Sequence, residues 1–279
     1  MTSTQTTQGQ YAHVNGLHLY FERTGTPSLD GLPVILLHGG FGSGGMFGGV
    51  LTPALNASRE VITVDLQGHG RTADTDRPLS YAAMADDVAA LITHLELETA
   101  DVMGYSLGGG VAIQTAIRHP DVVRRLVAVS APFRRDAWYA ASRENMAQMG
   151  EHTAAFMLQT PMYEAYARVA PRPEDWARMW GKMGDLLRQD YDWTEQIRAL
   201  ATSTLIAVGD SDSFPPAHAA ECFALLGGGV HDGGWDGSGM TPHRLAILPA
   251  TTHYDIFMSP LLAAAVAAFL DAPTREEHP

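Results

Sequence analysis

Short apolar runs alternate with segments of helical periodicity along the first half of the chain. The runs at residues 33–38 and 60–65 are continuous, which is typical of central strands that are buried on both faces, and residues 100–103 indicate a further short buried strand. Between the last two of these segments, apolar positions repeat at helical spacing over residues 81–95, and Ser80 is suited to cap the start of that helix. This order of elements predicts a mostly parallel sheet with helices on its faces.

Further elements extend the pattern toward both ends of the chain. Residues 11–14 and 17–23 alternate around Asn15 and Gly16, a strong hairpin signal, and would form an antiparallel edge of the sheet. Three later strands and a C-terminal helix are predicted at residues 125–130, 204–209, 244–248 and 259–270. The chain is therefore predicted to be an α/β protein.

One segment interrupts the alternation of strands and helices. Residues 134–200 contain no strand-like run and are rich in tryptophan and methionine in a helical-looking stretch. Most of these side chains would be ordinary core residues of helices, but some are expected to form the wall of a binding site. The predicted organisation is a core domain at 11–133 and 201–274, a helical cap at 134–200 and a polar N-terminal arm at 1–10.

Composition narrows the class of partner. The chain of 279 residues is 46% hydrophobic and 18% charged, which is typical of a globular protein with a substantial core. Its formal net charge of −13 argues against nucleic acid and anionic membranes as partners, because both require a basic face. The expected partner is a small neutral or hydrophobic molecule, and the oligomeric state stays open.

Cysteine usage and the apolar runs bear on the compartment. Cys222 is the single cysteine, so no intramolecular disulfide can form. Residues 1–10 lack the apolar stretch of a signal peptide, and the longest apolar run, at 261–270, is too short to span a bilayer. These features favour a cytoplasmic location, with Cys222 as buried filler.

A candidate nucleophile lies where the strand at 100–103 must turn into a helix. Residues 104–108 read GYSLG and fit the pattern G-x-S-x-G, with Ser106 at the centre. Such a turn exposes the serine hydroxyl, and the free N–H groups of the following helix, that of Leu107 first, face a developing oxyanion. A glycine-rich turn can also be purely structural or hold a phosphate. The motif therefore needs support from a base and an acid.

Candidate base and acid residues follow the last predicted strands. A serine hydroxyl needs a base to take its proton and a carboxylate to orient that base, and both are expected at later strand ends. One late strand runs into Asp210 and Asp212, and the last strand runs into a segment that ends at His253. Ser106, Asp212 and His253 therefore occur in the order Ser, Asp, His.

Four motifs together resemble the α/β-hydrolase family over nearly the whole chain. Residues 38–41 (HGGF) resemble its H-G-x oxyanion loop, and residues 65–72 (DLQGHGRT) resemble its D-x-x-G-x-G-x-S turn, with threonine in place of serine. The other two are the G-x-S-x-G turn and the sequence GDSD at 209–212 with its late histidine. The resemblance implies the α/β-hydrolase fold, a mostly parallel central sheet flanked by helices, with a helical cap inserted before the strand that bears the acid.

The resemblance also implies catalytic roles. Ser106 would be the nucleophile, His253 the general base and then acid, and Asp212 the carboxylate that orients the histidine. Asp210 competes for the last role. Asp212 is preferred because, in the family, the aspartate nearer the following proline usually serves, and Asp210 would then stabilise a turn.

Further residues are assigned by the same resemblance. Gly40 and Leu107 would donate the N–H groups of an oxyanion hole, with Phe41 as the next choice. His38 is expected to stabilise its loop. The candidate substrate-binding residues are Phe41, Tyr105, Trp138, Met157 and Met162. No metal is expected, because glycine-rich spacing leaves His231, Asp232, Asp236 and His243 without a rigid element to hold an ion. No cofactor is expected, because the serine mechanism requires none.

The predicted function is a serine hydrolase that cleaves carboxylic esters of small to medium hydrophobic substrates through an acyl-enzyme. A serine at the nucleophile position argues against the family branches that carry aspartate there. The alternatives within the same fold are a lactonase, a cofactor-free perhydrolase of the haloperoxidase-like branch and a carbon–carbon bond hydrolase. The alternative from another class is a ligand receptor that keeps the triad but turns over slowly.

Overall fold

The computed structural model describes residues 9–26 and 32–273. Within these ranges the strands are β1 (Gly9–Val14), β2 (Leu17–Thr24), β3 (Val34–Leu37), β4 (Val61–Val64), β5 (Ala100–Tyr105), β6 (Val123–Val129), β7 (Ser203–Ser211) and β8 (Arg244–Thr252). They form one sheet in the order β1-β2-β4-β3-β5-β6-β7-β8. The pairs β1–β2 and β2–β4 are antiparallel, and all later pairs are parallel. The predicted mostly parallel sheet is confirmed.

The N-terminal hairpin begins earlier than its sequence pattern indicates. β1 already includes Gly9 and Gln10, so the last two residues of the predicted polar arm belong to the sheet. The turn falls at Asn15 and Gly16, whose φ angles of 47° and 79° fit a two-residue hairpin loop. Residues 1–8 of the predicted arm, and residue 274 at the end of the predicted core domain, lie outside the described residues.

Helices cover both faces of the sheet. They are α1 (Leu51–Leu55), α2 (Tyr81–His94), α3 (Leu107–Arg118), α4 (Ala140–Ala147), α5 (Pro161–Val169), α6 (Trp176–Arg188), α7 (Thr194–Arg198), α8 (Pro216–Leu225) and α9 (Pro260–Leu270). Side chains of β3 alternate between two hydrophobic clusters: Ile35 packs with residues of α2, α3 and α8, and Leu36 packs with residues of α1 and α9. Ser80 caps α2, because its hydroxyl accepts a hydrogen bond from the N–H of Ala83 at 3.1 Å.

Helices and turns alone connect β6 to β7. Residues 134–200 are all described, and they contain α4 to α7 and no strand beyond an isolated bridge between Arg134 and Asp192. That bridge and the hydrogen bond from the N–H of Trp193 to the carbonyl of Phe133, at 3.0 Å, hold the two ends of the segment together. We call residues 134–200 the insertion. The buried residues of α6 belong to the same hydrophobic cluster as α2 and α3.

The C-terminal ends of five parallel strands meet at one edge of the sheet. The first residue after each of β3, β5, β6, β7 and β8 is polar: these residues are His38, Ser106, Ser130, Asp212 and His253. Because the strands are parallel and adjacent, their side chains converge, as is usual for sites in α/β sheets.

Two further observations concern membranes and the cysteine. Among the residues that the structure describes, no helix has the length and apolar character needed to cross a membrane. Cys222 is buried in α8, and burial raises the pKa of its thiol to about 12. The thiol is therefore protonated at neutral pH and packs as a small apolar side chain.

Candidate active site

The turn between β5 and α3 is made by Ser106 alone. Its backbone has φ 54° and ψ −114°, a conformation that non-glycine residues adopt rarely and at an energetic cost. The turn is also tight, because a Cβ atom on Gly104 would lie 1.9 Å from the carbonyl oxygen of Gly108. The structure therefore contains the sharp strand-to-helix turn that the motif predicts, and Ser106 lines a cavity beyond it.

His253 links Ser106 to Asp212 through two hydrogen bonds. Nδ1 of His253 lies 2.8 Å from Oδ1 of Asp212, and Nε2 lies 3.0 Å from Oγ of Ser106. With Asp212 ionised, the Nδ1–H donates to the carboxylate, so the lone pair of Nε2 accepts the hydroxyl proton of Ser106. This arrangement allows the histidine to remove a proton from the serine.

The Asp212 carboxylate is surrounded by donors. Besides His253, the hydroxyl of Ser130 donates to Oδ2 at 2.5 Å, and the N–H of Ser213 donates to Oδ1 at 2.7 Å. Burial of this carboxyl opposes its ionisation, but the hydrogen bonds from His253, Ser130 and Ser213 outweigh burial and hold the pKa of Asp212 below its usual value. Asp212 is therefore an anion at neutral pH.

Asp210 has different partners. Its carboxylate is exposed and accepts hydrogen bonds from the N–H groups of Ala250 and Thr251, at 2.9 and 3.3 Å, in the segment that leads to His253. These backbone donors lower the pKa of Asp210. The two aspartates of the GDSD sequence thus divide their contacts: Asp212 contacts the imidazole ring, and Asp210 contacts the backbone.

The predicted oxyanion donors lie beside the cavity. Gly40, Phe41 and Leu107 all line the cavity that Ser106 faces. Among the hydrogen bonds between described residues, none has the amide N–H of Gly40 or Leu107 as its donor. Both groups are therefore available to an oxygen atom of a ligand. The ring of Phe41 stacks on Trp180, with ring centroids 4.9 Å apart, and so joins the loop at residues 38–41 to the insertion.

His38 anchors the loop that carries Gly40. Its Nδ1–H donates to the carbonyl of Gly39 at 2.8 Å, and its Nε2 accepts the N–H of Leu66 at 3.0 Å, just after β4. Burial lowers the pKa of His38 to about 4, so the ring is neutral and can both donate and accept. His38 therefore stabilises the loop, as its position after a strand suggests.

The cavity above Ser106 has a volume of about 500 Å³ and a mostly apolar lining. Methionine and aromatic side chains from the core and from the insertion form most of the wall: Phe41, Met46, Tyr81, Tyr105, Trp138, Met146, Met149, Met162, Trp180, Met183, Tyr254 and Phe257. Within the described ranges, no aspartate, glutamate, lysine or arginine belongs to this lining. A neutral apolar ligand therefore suits the cavity.

A family model described as alpha/beta hydrolase fold matches residues 33–228 of the chain. The chain belongs to the α/β hydrolase family. The match covers the loop at residues 38–41, the serine turn, the insertion and the strand that leads to Asp212. Family membership and the names of its relatives identify the protein as a hydrolase.

Individual α/β hydrolases resemble nearly the full length of the chain. A Yersinia enterocolitica protein named carbamate hydrolase RutD is 28% identical over 270 residues, which cover 88% of this chain and 92% of the relative. The structure of a thermophilic esterase from Thermogutta terrifontis has a TM-score of 0.71 at 22% identity, covering 95% and 98% of the two chains. That of the enol-lactonase from Burkholderia xenovorans has a TM-score of 0.70 at 20% identity, covering 94% and 100%. At these identities the two structures show the shared fold alone.

Four of the five predicted substrate-binding residues of this hydrolase line the cavity, and Met157 does not. The expectation for Met157 is corrected here. It ends the 3-10 helix Glu151–Met157, which packs along α6: the indole N–H of Trp176 donates to the carbonyl of Ala154 at 3.1 Å. Met157 packs against the hydrophobic cluster and does not line the cavity. Methionine content predicted the wall of the site, but helix packing decides which methionine faces it.

Sequence reasoning missed several residues of the hydrolase site. Ser130 contacts Asp212, and Met146, Met149, Trp180 and Met183 line the cavity. A single serine after a strand matches no motif, so Ser130 gave no signal. The methionines and Trp180 were recognised as a cluster in the sequence, but their periodicity could not separate the face toward the cavity from the face toward the core. Among described residues, no group of three or more His, Cys, Asp or Glu side chains is placed to hold a metal ion.

Proposed function

We propose that this hydrolase is a serine esterase that forms an acyl-enzyme at Ser106. The supporting observation is the continuous line of hydrogen bonds from Ser106 through His253 to Asp212, which opens on a neutral apolar cavity. A nucleophile with its base in contact, and a base with its carboxylate in contact, is the arrangement that covalent catalysis requires.

The first half of the reaction forms the acyl-enzyme. Ser106 Oγ attacks the ester carbonyl carbon, and His253 Nε2 takes the hydroxyl proton as the bond forms. The ionised Asp212 stabilises the imidazolium. The π electrons of the carbonyl move to its oxygen, which accepts hydrogen bonds from the N–H groups of Gly40 and Leu107; Phe41 is the alternative donor in the same loop. The carbonyl then re-forms, the alcohol oxygen leaves, and His253 protonates it.

The second half releases the acid. Water enters in place of the alcohol and gives a proton to His253 as its oxygen attacks the acyl carbon. The same N–H groups stabilise the second oxyanion. When this intermediate collapses, the proton of His253 returns to Ser106 Oγ, and the carboxylic acid leaves. The residues named here account for every proton transfer, so the scheme requires no cofactor.

The substrate class is inferred from the cavity. A volume of about 500 Å³ lies within the range of small-molecule sites, and its methionine and aromatic lining favours apolar groups. The absence of charged lining residues in the described ranges leaves a charged acyl chain without a counter-ion, which makes its burial unfavourable. We therefore propose small to medium hydrophobic esters as substrates, in a cytoplasmic enzyme without a nucleic acid or membrane partner.

The insertion acts in this proposal as a helical cap on the core domain of residues 11–133 and 201–274. It supplies one side of the cavity through Trp138, Met162, Trp180 and Met183. The core supplies the reacting groups. This division would let the insertion select substrates without altering the chemistry.

Lactones and carbamates are further substrates to test. A lactone is a cyclic ester that the same nucleophile can attack, and the leaving alcohol then stays part of the product. Carbamates are worth testing because the relative from Yersinia enterocolitica bears the name carbamate hydrolase and aligns over most of both chains. Turnover of one class well above the others would define the substrate.

A fluorophosphonate probe followed by mass spectrometry tests the proposal. We expect one label, on Ser106, although Ser142 and Ser213 line the same cavity, because only Ser106 contacts a histidine base. Ser106→Ala should lose the label and lower ester turnover by roughly a thousandfold or more. Labelling of another residue, or retained turnover in Ser106→Ala, would contradict the proposal. Labelling with negligible turnover of all three substrate classes would favour a receptor.

A further inference from the structure

Tyr105, the residue before Ser106, is held by contacts on three sides. Its hydroxyl donates a hydrogen bond to the backbone carbonyl oxygen of His253 at 2.6 Å. Its ring lies against Gly39, where a Cβ atom would come within 2.6 Å of a ring carbon. The ring also packs on Phe257, with centroids 5.1 Å apart. One side chain thus joins the nucleophile turn, the oxyanion loop and residues 252–257, which we call the histidine loop.

The histidine loop lies at an exposed part of the sheet. It follows β8, which lies at one edge of the sheet. β8 pairs with β7 in a register that shifts between Gly209 and Ser211. A hydrogen bond within this loop stabilises its turn: the Asp255 carboxylate accepts the N–H of Thr252 at 2.7 Å. The hydroxyl of Tyr105 connects this edge loop to β5, at the centre of the sheet.

The bond from Tyr105 is well suited to fix a backbone position. The side chain is only 6% exposed, so water competes little for either partner. Burial raises the pKa of Tyr105, and the hydroxyl therefore stays protonated and donates at neutral pH. Its acceptor belongs to the same residue as the catalytic ring, so movement of this carbonyl would move Nε2 of His253 relative to Ser106.

We propose that Tyr105 is a positioning residue, which sets the distance between His253 Nε2 and Ser106 Oγ by tying the backbone of His253 to the nucleophile turn. The proposal rests on the proposed function. The hydroxyl of Tyr105 then affects the rate of proton transfer, and only the ring contributes to the wall of the cavity. Reacting groups must be placed closely, and small displacements cause large losses of rate.

Tyr105→Phe tests this role, because it removes the hydroxyl and keeps the ring. We expect kcat for a neutral ester to fall by roughly fivefold to tenfold, the effect of one hydrogen bond, with KM nearly unchanged. The rate constant of fluorophosphonate labelling at Ser106 should fall by a similar factor. Hydrogen exchange of backbone amides in residues 252–257 should become faster.

Tyr20→Phe is the matched control. The hydroxyl of Tyr20 is in a buried residue of β2 and donates a hydrogen bond of the same length, 2.6 Å, to Glu22, away from the cavity. This variant should leave kcat, KM and the labelling rate unchanged. An equal fall of kcat in both variants would overturn the proposal, because it would show a general effect of lost stability.

The labelling experiment separates misfolding from mispositioning. A variant with an irreversibly unfolded fraction would reach a lower final fraction of labelled protein at the normal rate, whereas a mispositioned histidine would give full labelling at a lower rate. Only the second result supports the proposal. Faster exchange at 252–257 with unchanged kcat would show a purely structural bond and overturn it. Labelling of a residue other than Ser106 in the unaltered protein would overturn the proposed function itself, and would be seen before any variant is made.

Discussion

The residues that follow the strands and the cavity residues of the insertion are held in place by different forces. Ser106, Asp212 and His253 each follow a strand directly and are joined by hydrogen bonds of 2.8 and 3.0 Å. Met183, a cavity residue of the insertion, is buried in a hydrophobic cluster and is held by apolar packing, which has no fixed direction. In the proposed esterase, hydrogen bonds therefore determine the geometry of the reacting groups, and packing shapes the space for the substrate.

The insertion is itself unevenly attached to the core. Lys182 of α6 lies 2.9 Å from the buried carboxylate of Asp74, and Met183 lies close enough to Gly40 that a Cβ there would be 3.1 Å from its methyl group. By contrast, Leu158 and Met162, near and within α5, are 45% and 40% exposed. The α6 helix is thus held to the core by buried contacts, whereas Leu158 and Met162 are exposed to solvent.

The largest expected effect concerns the hydrogen-bonded site. Asp212→Asn should lower kcat by roughly a thousandfold or more with the fold intact, because an amide no longer stabilises the imidazolium or selects the right tautomer. Asp210→Asn should mainly lower the free energy of unfolding, since the hydrogen bonds of this carboxylate to described residues come from the backbone of residues 250 and 251 and from Ser211. Steady-state kinetics and urea unfolding of both variants provide the comparison.

The two aspartates serve as controls for each other, because they are two residues apart and undergo the same change. The reverse result, with activity lost in Asp210→Asn and kept in Asp212→Asn, would transfer the acid role to Asp210. A similar loss of kcat in both would mean that the position of the histidine loop, and not the carboxylate beside the ring, limits the rate.

Local motifs account for the parts of this molecule that sequence reasoning reached. The turn at Ser106 is encoded within five residues, because glycines must flank a serine in so tight a bend. The parallel strands are also visible in the sequence, since β3, β4 and β5 are buried on both faces and most of their residues are apolar. Such features depend on neighbours in the chain.

Contacts between distant segments were not visible in the same way. Ser130 reaches Asp212 across 82 positions of the chain, and Tyr105 reaches His253 across 148, and neither belongs to a pattern with a fixed spacing. Met157 and Met183 have the same chemistry and lie in the same helical segment, but only Met183 faces the cavity. The outcome depends on how α6 and the 3-10 helix Glu151–Met157 pack, which periodicity alone does not determine.

The second prediction concerns the stability of the folded core in acid. His38 and His69 are buried in the core, and burial lowers their pKa values to about 4 and about 3. The unfolded chain binds protons at these histidines near pH 6.5, so the stability they contribute is complete above that pH and is lost as the pH falls toward 4. Each should change the unfolding constant by up to roughly tenfold per pH unit in this window. Urea unfolding between pH 7 and pH 5 measures this.

His69→Gln should show a smaller loss of stability between pH 7 and pH 5 than the unaltered protein, even if it is less stable at pH 7. A free energy of unfolding that stays constant down to pH 5 in the unaltered protein would contradict the buried neutral state of both rings.

The smallest expected effect concerns the apolar cavity and its preference for the length of the acyl chain. Each methylene that enters the apolar cavity should contribute up to about 0.8 kcal/mol, so kcat/KM should rise roughly threefold to fourfold per added carbon until the space is full. Met183→Ala enlarges the cavity near Gly40 and should move that limit to chains about two to three carbons longer. Met179→Ala is the matched control, because Met179 lies one turn away on α6 and is buried near Gly68 instead of lining the cavity. It should lower stability without changing the preferred length. If kcat/KM were independent of acyl length from acetate to hexanoate, or if both variants shifted the limit equally, the insertion would not determine specificity, and the strand ends would have to account for substrate choice as well as for the chemistry.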